Sequence, residues 1–274
     1  QVFAQTQVCV EADSFFSRSQ PSFGNGNSTM ISIRLYPAIG RRTLFCLLAG
    51  WLAFGSTSVN HTATAGEKSD QARWSVLFNG EDLDGWKSQS DDKTGNWTVA
   101  GRVPVDESDA KKFSIHPGKG VLVNGDAGRT SNLFTKHQHA DVEAHIEFVV
   151  PRGSNSGIYF QGRYEIQVLD SFGVKKPKYS DCGGIYQRWA KGKGFEGHAP
   201  KVNVSKAPGE WQTFDVVFRA PRFDKAGKKI ENGRFIKVVH NGVLIHQNVE
   251  VTGPTRAAAF GDEKATGPIM LQGD

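Results

Sequence analysis

The chain has 274 residues with 18 Phe, 6 Trp and 31 Gly, enough large apolar side chains for one large domain or two small ones and enough glycine for many turns. Its formal charge of +5 falls to +3 from Gly66 onward, where 29 Lys and Arg face 26 Asp and Glu scattered along the chain, which excludes a nucleic-acid-binding footprint. Of the three cysteines, only Cys182 lies beyond the N-terminal segment, so the folded region has no internal disulfide, and Asp181-Cys182-Gly183-Gly184 offers no neighbouring histidine to activate the thiol.

Residues 1–29 show no hydrophobic period and end in Gly24-Asn-Gly-Asn-Ser28, and they read as a non-native extension ahead of Met30. Residues 30–65 read as an export signal: Arg34, Arg41 and Arg42 precede the apolar run Leu44–Phe54, and Ala63-Thr64-Ala65 offers small residues for cleavage. That run of 11 residues is too short to cross a hydrocarbon layer of about 30 Å as a helix. The expectation is therefore an exported protein, periplasmic or extracellular, without stable membrane insertion after cleavage; an uncleaved anchor is the alternative. Residues 66–73 form a polar linker, and one domain spans 74–274.

From Trp74 the chain is a succession of short strand patterns. Trp74–Phe78, Trp97–Val99, Gly120–Val123 and Asn132–Thr135 are separated by turn residues such as Asn79-Gly80, Ala100-Gly101 and Asn124-Gly125. Between Asp141 and Val150, Val142, Ala144, Ile146 and Phe148 alternate with Glu143, His145 and Glu147. Two runs, Gly157–Gln161 and Tyr164–Leu169, predict a hairpin turning at Gly162-Arg163. Trp211–Arg219 alternates again, Phe235–His240 and Val243–Val249 flank the favoured turn Asn241-Gly242, and Gly267–Gln272 is a further strand. Ten or more short strands predict an all-β fold, an antiparallel β-sandwich or jelly roll.

The second strand of the 157–169 hairpin concentrates polar groups. Side chains alternate across a strand, so Tyr164, Ile166 and Val168 share the core face while Glu165 and Gln167 look the other way. Asp170 falls on the apolar parity unless one extra residue near Val168-Leu169 returns it to the side of Glu165, and that bulge decides whether the two carboxyl groups work together. Turn-capping by Asp170 and structural pairing of Glu165 with Arg163 or Arg188 are the competing readings. His137 and His139 share a strand face, but no third metal ligand follows at a recognisable spacing. No cofactor is called for, with a divalent cation left open; oligomeric state is not legible.

Several spaced blocks carry a resemblance: Leu77-Phe-Asn-Gly-Glu-Asp-Leu-Asp-Gly-Trp86, Ser154-Asn-Ser-Gly157, Tyr164-Glu-Ile-Gln-Val-Leu-Asp170, Cys182-Gly-Gly-Ile-Tyr186, Pro208-Gly-Glu-Trp-Gln212, Arg219-Ala-Pro-Arg-Phe223, His240-Asn-Gly-Val243 and Gly267-Pro-Ile-Met-Leu-Gln272. They resemble the 3-keto-disaccharide hydrolase family across nearly all of residues 74–274. The resemblance implies a concanavalin A-like jelly roll and a carbohydrate substrate or ligand. It also implies a further stretch beyond the Leu-Gln block, with a histidine and a final Arg-Asn strand, which this sequence does not contain; a sandwich lacking its last strand is expected.

In the implied chemistry a ketone at C3 acidifies the C2 proton, so one general base can start an elimination that expels the group at C1. Glu165 is the candidate base and Asp170 its partner or the acid. Arg163, Lys206 and Tyr186 are candidate donors to the enolate, Gln167 and Asn155 candidate contacts to sugar hydroxyls, and Tyr159 and Tyr186 candidate stacking platforms. Trp189 and Trp211 read as core. The expected function is cleavage of 3-keto-glycosides; the alternative is a non-catalytic carbohydrate-binding module.

Overall fold

The computed structural model describes residues 2–4, 31–32, 74–90, 97–125 and 130–273. Most of the expected extension, export signal and linker, with Cys9 and Cys46, lies outside the described residues. No helix occurs among the described residues. The first strands are β1 (Val2–Ala4), β2 (Ile31–Ser32), β3 (Trp86–Ser88), β4 (Trp97–Arg102), β5 (His116–Asn124) and β6 (Leu133–His139). They are followed by β7 (Val142–Phe148), β8 (Asn155–Phe160), β9 (Tyr164–Leu169), β10 (Arg188–Ala190), β11 (Lys193–Phe195) and β12 (Gln212–Arg219). The last are β13 (Arg222–Phe223), β14 (Lys229–Glu231), β15 (Gly233–His240), β16 (Val243–Val251) and β17 (Gly267–Leu271).

Two five-stranded sheets, ordered β16-β15-β12-β7-β2 and β3-β6-β17-β8-β9, bury one core between them. Pairing is antiparallel except for the two-residue contact of β2 with β7, so the expected antiparallel sandwich is the observed fold. The alternation along β7 and β12 sets the first sheet: Val142, Ala144, Ile146, Phe148, Phe214, Val216 and Phe218 all enter the core, and Phe148 stacks on Phe214 at 4.8 Å. The polar residues between them form the outer face, where His145 pairs with Asp215.

In the second sheet the β8-β9 end is buried on both faces, while Lys87 on β3 and residues 136–138 on β6 are exposed. Leu133, Leu271, Ile158 and Ile166 lie in register across β6, β17, β8 and β9 and fill the core side. One position along, Lys87, Phe134, Met270, Tyr159 and Glu165 form a transverse row on the outer side. Two long connections cover part of that row. Ile185, from the segment between β9 and β10, bridges Ile166 and extends the sheet by one step. The segment after β16 docks through Thr255 N–H to Arg163 O at 2.9 Å and Ala259 N–H to Gly162 O at 3.0 Å.

Three expectations need correction. Trp74–Phe78 is irregular rather than a strand: Phe78 plugs the core, and the Asn79 side chain accepts the N–H groups of Glu81 and Asp82, turning the chain at once. The hairpin between β8 and β9 turns one residue earlier than Gly162-Arg163. Its positive-φ residues are Gln161 (54°) and Gly162 (65°), closed by Arg163 N–H to Phe160 O at 3.0 Å, the geometry that matches strand twist. Trp189 and Trp211 are 48% and 38% exposed rather than core, and the hairpins β10-β11 and β13-β14 were not anticipated.

Candidate active site

Glu165 sits where the parity of β9 puts it, on the outer face opposite Tyr164, Ile166 and Val168, and is only 3% exposed because the long connections close over it. Its backbone is fixed on both sides: its N–H donates to Thr255 Oγ1 at 3.2 Å and its carbonyl accepts from Tyr186 N–H at 3.1 Å. The carboxylate lies above Gly157 on β8. A Cβ at residue 157 would stand 2.4 Å from Glu165 Oε1 and 2.8 Å from a Tyr159 ring carbon, so glycine is required there by space rather than by backbone angle. Nothing in the local pattern marks Gly157; only the register Gly157 opposite Gln167 and Tyr159 opposite Glu165 reveals its role.

Gln167, two residues on and on the same face, is also buried. Its Nε2 donates to Asn155 Oδ1 and to Ser180 O, each at 3.2 Å, while its Oε1 has no hydrogen-bond partner among the described residues. An acceptor left open beside a carboxylate suits a sugar hydroxyl, and leaving it buried without a donor is costly. The same row continues to Gln272, whose N–H donates to Gly157 O at 2.9 Å.

Asp170 is not brought to this site. The register between β8 and β9 runs unbroken from Phe160–Tyr164 to Asn155–Leu169, so the bulge that would have turned Asp170 toward Glu165 is absent. Five residues of extended chain separate the two positions by about 17 Å along the strand. Paired-acid hydrolysis needs about 5 Å for retention or about 6.5–9.5 Å for inversion. The Asp170 carboxylate instead anchors a turn, accepting Gly153 N–H at 2.9 Å and Phe172 N–H at 3.4 Å.

Two candidate cations are likewise committed elsewhere. Arg163, 4% exposed, donates from Nη1 to Gln161 O at 2.8 Å and from Nη2 to Asp262 Oδ1 at 3.0 Å, with its Cζ 4.7 Å from the Phe260 ring centre. It ties the hairpin turn to the 252–266 connection. Lys206 bonds through Nζ to Trp211 O at 2.7 Å, at the start of β12 in the other sheet. Tyr159 is fully buried with Phe134 and Met270, so it supplies a wall rather than an open stacking face. Of the two strand histidines, His137 is exposed and His139 is buried, accepting Gln161 N–H at Nε2. Among the described residues no group of three or more His, Cys, Asp or Glu could hold a metal ion. Burial pushes the Cys182 thiol up to about 11, which leaves it inert as a nucleophile.

Tyr186 lies on the segment that bridges β9. It is half-buried and edge-on to Tyr179 at 5.5 Å, and its backbone N–H donates to the Glu165 carbonyl. Burial raises its phenol above the ordinary value, and the Glu165 and Tyr179 side chains push it further in the same direction, against the pull of Arg256. The phenol therefore keeps its proton at neutral pH. A separate cavity of about 280 Å³, lined by Lys87, Phe134, Gln138 and Phe260 among others, opens on the far side of the sheet's outer face, and no expected site residue lines it.

A family model described as a 3-keto-alpha-glucoside-1,2-lyase-like domain matches residues 73–274. A crystal structure of a provisionally assigned glycosyl hydrolase from Parabacteroides distasonis shares 29% identity and a TM-score of 0.53, covering 73% of this chain and 75% of that one. A second from the same organism, also provisionally assigned as a glycosyl hydrolase, shares 17% identity over 72% of this chain and 86% of that one, with a TM-score of 0.41. Among curated proteins none matches.

Proposed function

The chain belongs to the 3-keto-alpha-glucoside-1,2-lyase-like domain family, and from that premise we propose that it cleaves the glycosidic bond of 3-keto-glycosides by elimination, with Glu165 as the base. The observation that carries the reading is a buried carboxylate on the outer face of β9 whose expected carboxylate partner is turned away into a turn, next to a half-buried tyrosine hydroxyl. That set does not suit paired-acid hydrolysis. It suits a substrate that already carries a ketone, for which one base is enough.

The steps balance within the substrate and two side chains. Glu165 takes the C2 proton, and the C2–H electron pair moves toward the C3 carbonyl as an enolate. The enolate then forms the C1–C2 double bond as the C1–O bond breaks, and the departing oxygen receives the Tyr186 proton. The products are an unsaturated 3-keto sugar and a free alcohol, and water can add to the former. Gln167 Oε1 would accept a hydroxyl of the ring and hold it in register over β9. The Arg-flanked apolar run Leu44–Phe54 supports action after export.

A 3-keto-glucoside and its unoxidised parent glucoside, incubated separately with the full chain and followed by NMR, test the reading. Cleavage confined to the oxidised compound is expected. Equal cleavage of the parent would point to conventional hydrolysis, and saturable binding of the parent with no product from either would favour a carbohydrate-binding module.

A further inference from the structure

The proposed elimination, on which this inference rests, puts negative charge on the C3 oxygen, and the two cations expected to meet it are spent elsewhere: Arg163 on Asp262 and Lys206 on the Trp211 carbonyl. We infer that Arg256, carried on the face of Trp189, is the oxyanion-binding residue of this site.

Position is the first support. Thr255 is bonded directly to the Glu165 backbone, its Oγ1 accepting the Glu165 N–H, and Arg256 is the next residue. Arg256 N–H donates to Gln187 O at 2.8 Å, one residue beyond Tyr186, and its own carbonyl lies 3.4 Å from the hydroxyl of Tyr159, the cross-strand partner of Glu165. Two contacts of its own backbone, and the Thr255 hydroxyl just before it, thus hold the residue between the segments that carry the proposed base and the proposed acid, while its side chain remains exposed.

The state of the guanidinium is the second support. Its Cζ lies 4.4 Å from the centre of the Trp189 ring, a cation–π contact that fixes the plane without consuming N–H donors. Among the described residues no hydrogen bond or ion pair engages that group, whereas Arg163, Arg188, Arg219, Arg222 and Arg234 are each paired with a carboxylate. A planar, prepositioned donor set at the mouth of a site whose base is buried meets the requirement for stabilising developing charge: it is oriented before the reaction and needs no reorganisation during it. The exposure of Trp189, which is otherwise unexplained for a large aromatic side chain, follows from its use as the support.

The ligand class is a ring ketone in its enolate form. Arg256→Ala, Arg256→Lys and wild type are compared on a 3-keto-glucoside, with kcat and KM separated and thermal unfolding recorded for each. Arg256→Ala is expected to lower kcat by about 10²–10³-fold with little change in KM. Added guanidinium should restore part of that loss, and Arg256→Lys, which keeps the charge but loses the stacked plane, should fall between. An unchanged kcat in Arg256→Ala, a loss confined to KM, or a loss that guanidinium does not touch would each overturn the inference. A wild type that leaves the 3-keto-glucoside intact removes the proposed reaction and the inference together, while an active wild type matched by Arg256→Ala removes the inference alone.

Discussion

Replacing Glu165 by glutamine should cut turnover of a 3-keto-glucoside by about 10²–10⁴-fold, the contribution of a positioned general base, while the protein still folds. The amide has nearly the volume of the carboxylate and costs less to bury, so the structural demand of the site is met while its basicity is gone. Gly157→Ala should reproduce much of that loss without touching the carboxylate's chemistry. The added methyl would stand 2.4 Å from Glu165 Oε1 and 2.8 Å from the Tyr159 ring, so the carboxylate must move. Overpacking of this kind costs about 1–3 kcal/mol in stability, which a domain of this size can absorb. Folded Glu165→Gln protein with wild-type turnover would remove Glu165 as the base. Wild-type turnover in Gly157→Ala would show that the carboxylate's placement is not critical.

The second large effect is acid sensitivity. Three histidines are buried in neutral form, and burial is the leading cause that lowers each to about 4 from an ordinary 6.5: His139, His240 and His246. Their partners fix the neutral tautomers. His139 Nε2 accepts Gln161 N–H, His240 Nε2 lies 3.0 Å from Gln212 Oε1 with Nδ1 unpartnered among the described residues, and His246 Nε2 lies 2.7 Å from Gly183 O. Lys206 opposes protonation further at His240 and Lys201 at His246, while the Gly183 carbonyl favours it at His246 and the Ala140 carbonyl and Asp141 favour it at His139. Because the folded values are depressed, this stability is complete above about pH 6.5 and is lost as pH falls toward 4. Each site contributes about 1.4 kcal/mol per pH unit in that window, so full uptake of three protons on unfolding costs about 4 kcal/mol per unit.

His145 acts in the opposite direction. Burial would lower it, but the Asp215 carboxylate that accepts from its Nδ1 and the nearby Glu147 carboxylate outweigh that and raise it to about 9, so its contribution is present below 6.5 and fades as pH rises through 9. Calorimetric unfolding from pH 7 to pH 4.5 should show a steep fall in Tm, and His246→Gln should flatten it by about a third, one site of the three. A Tm that stays level across that range would contradict the burial of neutral imidazoles.

What could be read in advance divides along physical lines. Period-two alternation is a local property, so the core faces of β7, β9 and β12 and the outward placement of Glu165 and Gln167 were legible, as was the turn at Asn241-Gly242. The strand reading of Trp74–Phe78 failed because a short apolar run also suits an irregular segment that plugs a core end with Phe78. The fates of Arg163, Tyr159 and Lys206 were not legible, because each depends on where a connection lands: Asp262 and Phe260 arrive about a hundred residues after Arg163 to claim it and to roof Tyr159. Asp170 turned on the presence of one bulge, which the pattern of Val168-Leu169 leaves undecided. Gly157 looked like a weak strand residue and became meaningful only with the cross-strand register. Arg256 lies in an irregular segment with no periodicity to read, and only folding brings its neighbour Thr255 to Glu165.

In the proposed elimination Glu165 removes the C2 proton before the C1–O bond breaks. A 3-keto-glucoside carrying deuterium at C2, with the product analysed by mass spectrometry at early conversion and the recovered substrate as the exchange control, measures that step directly. Elimination removes the label from the product while the recovered substrate retains it; product that keeps its C2 deuterium would rule out elimination and return the site to direct displacement at C1.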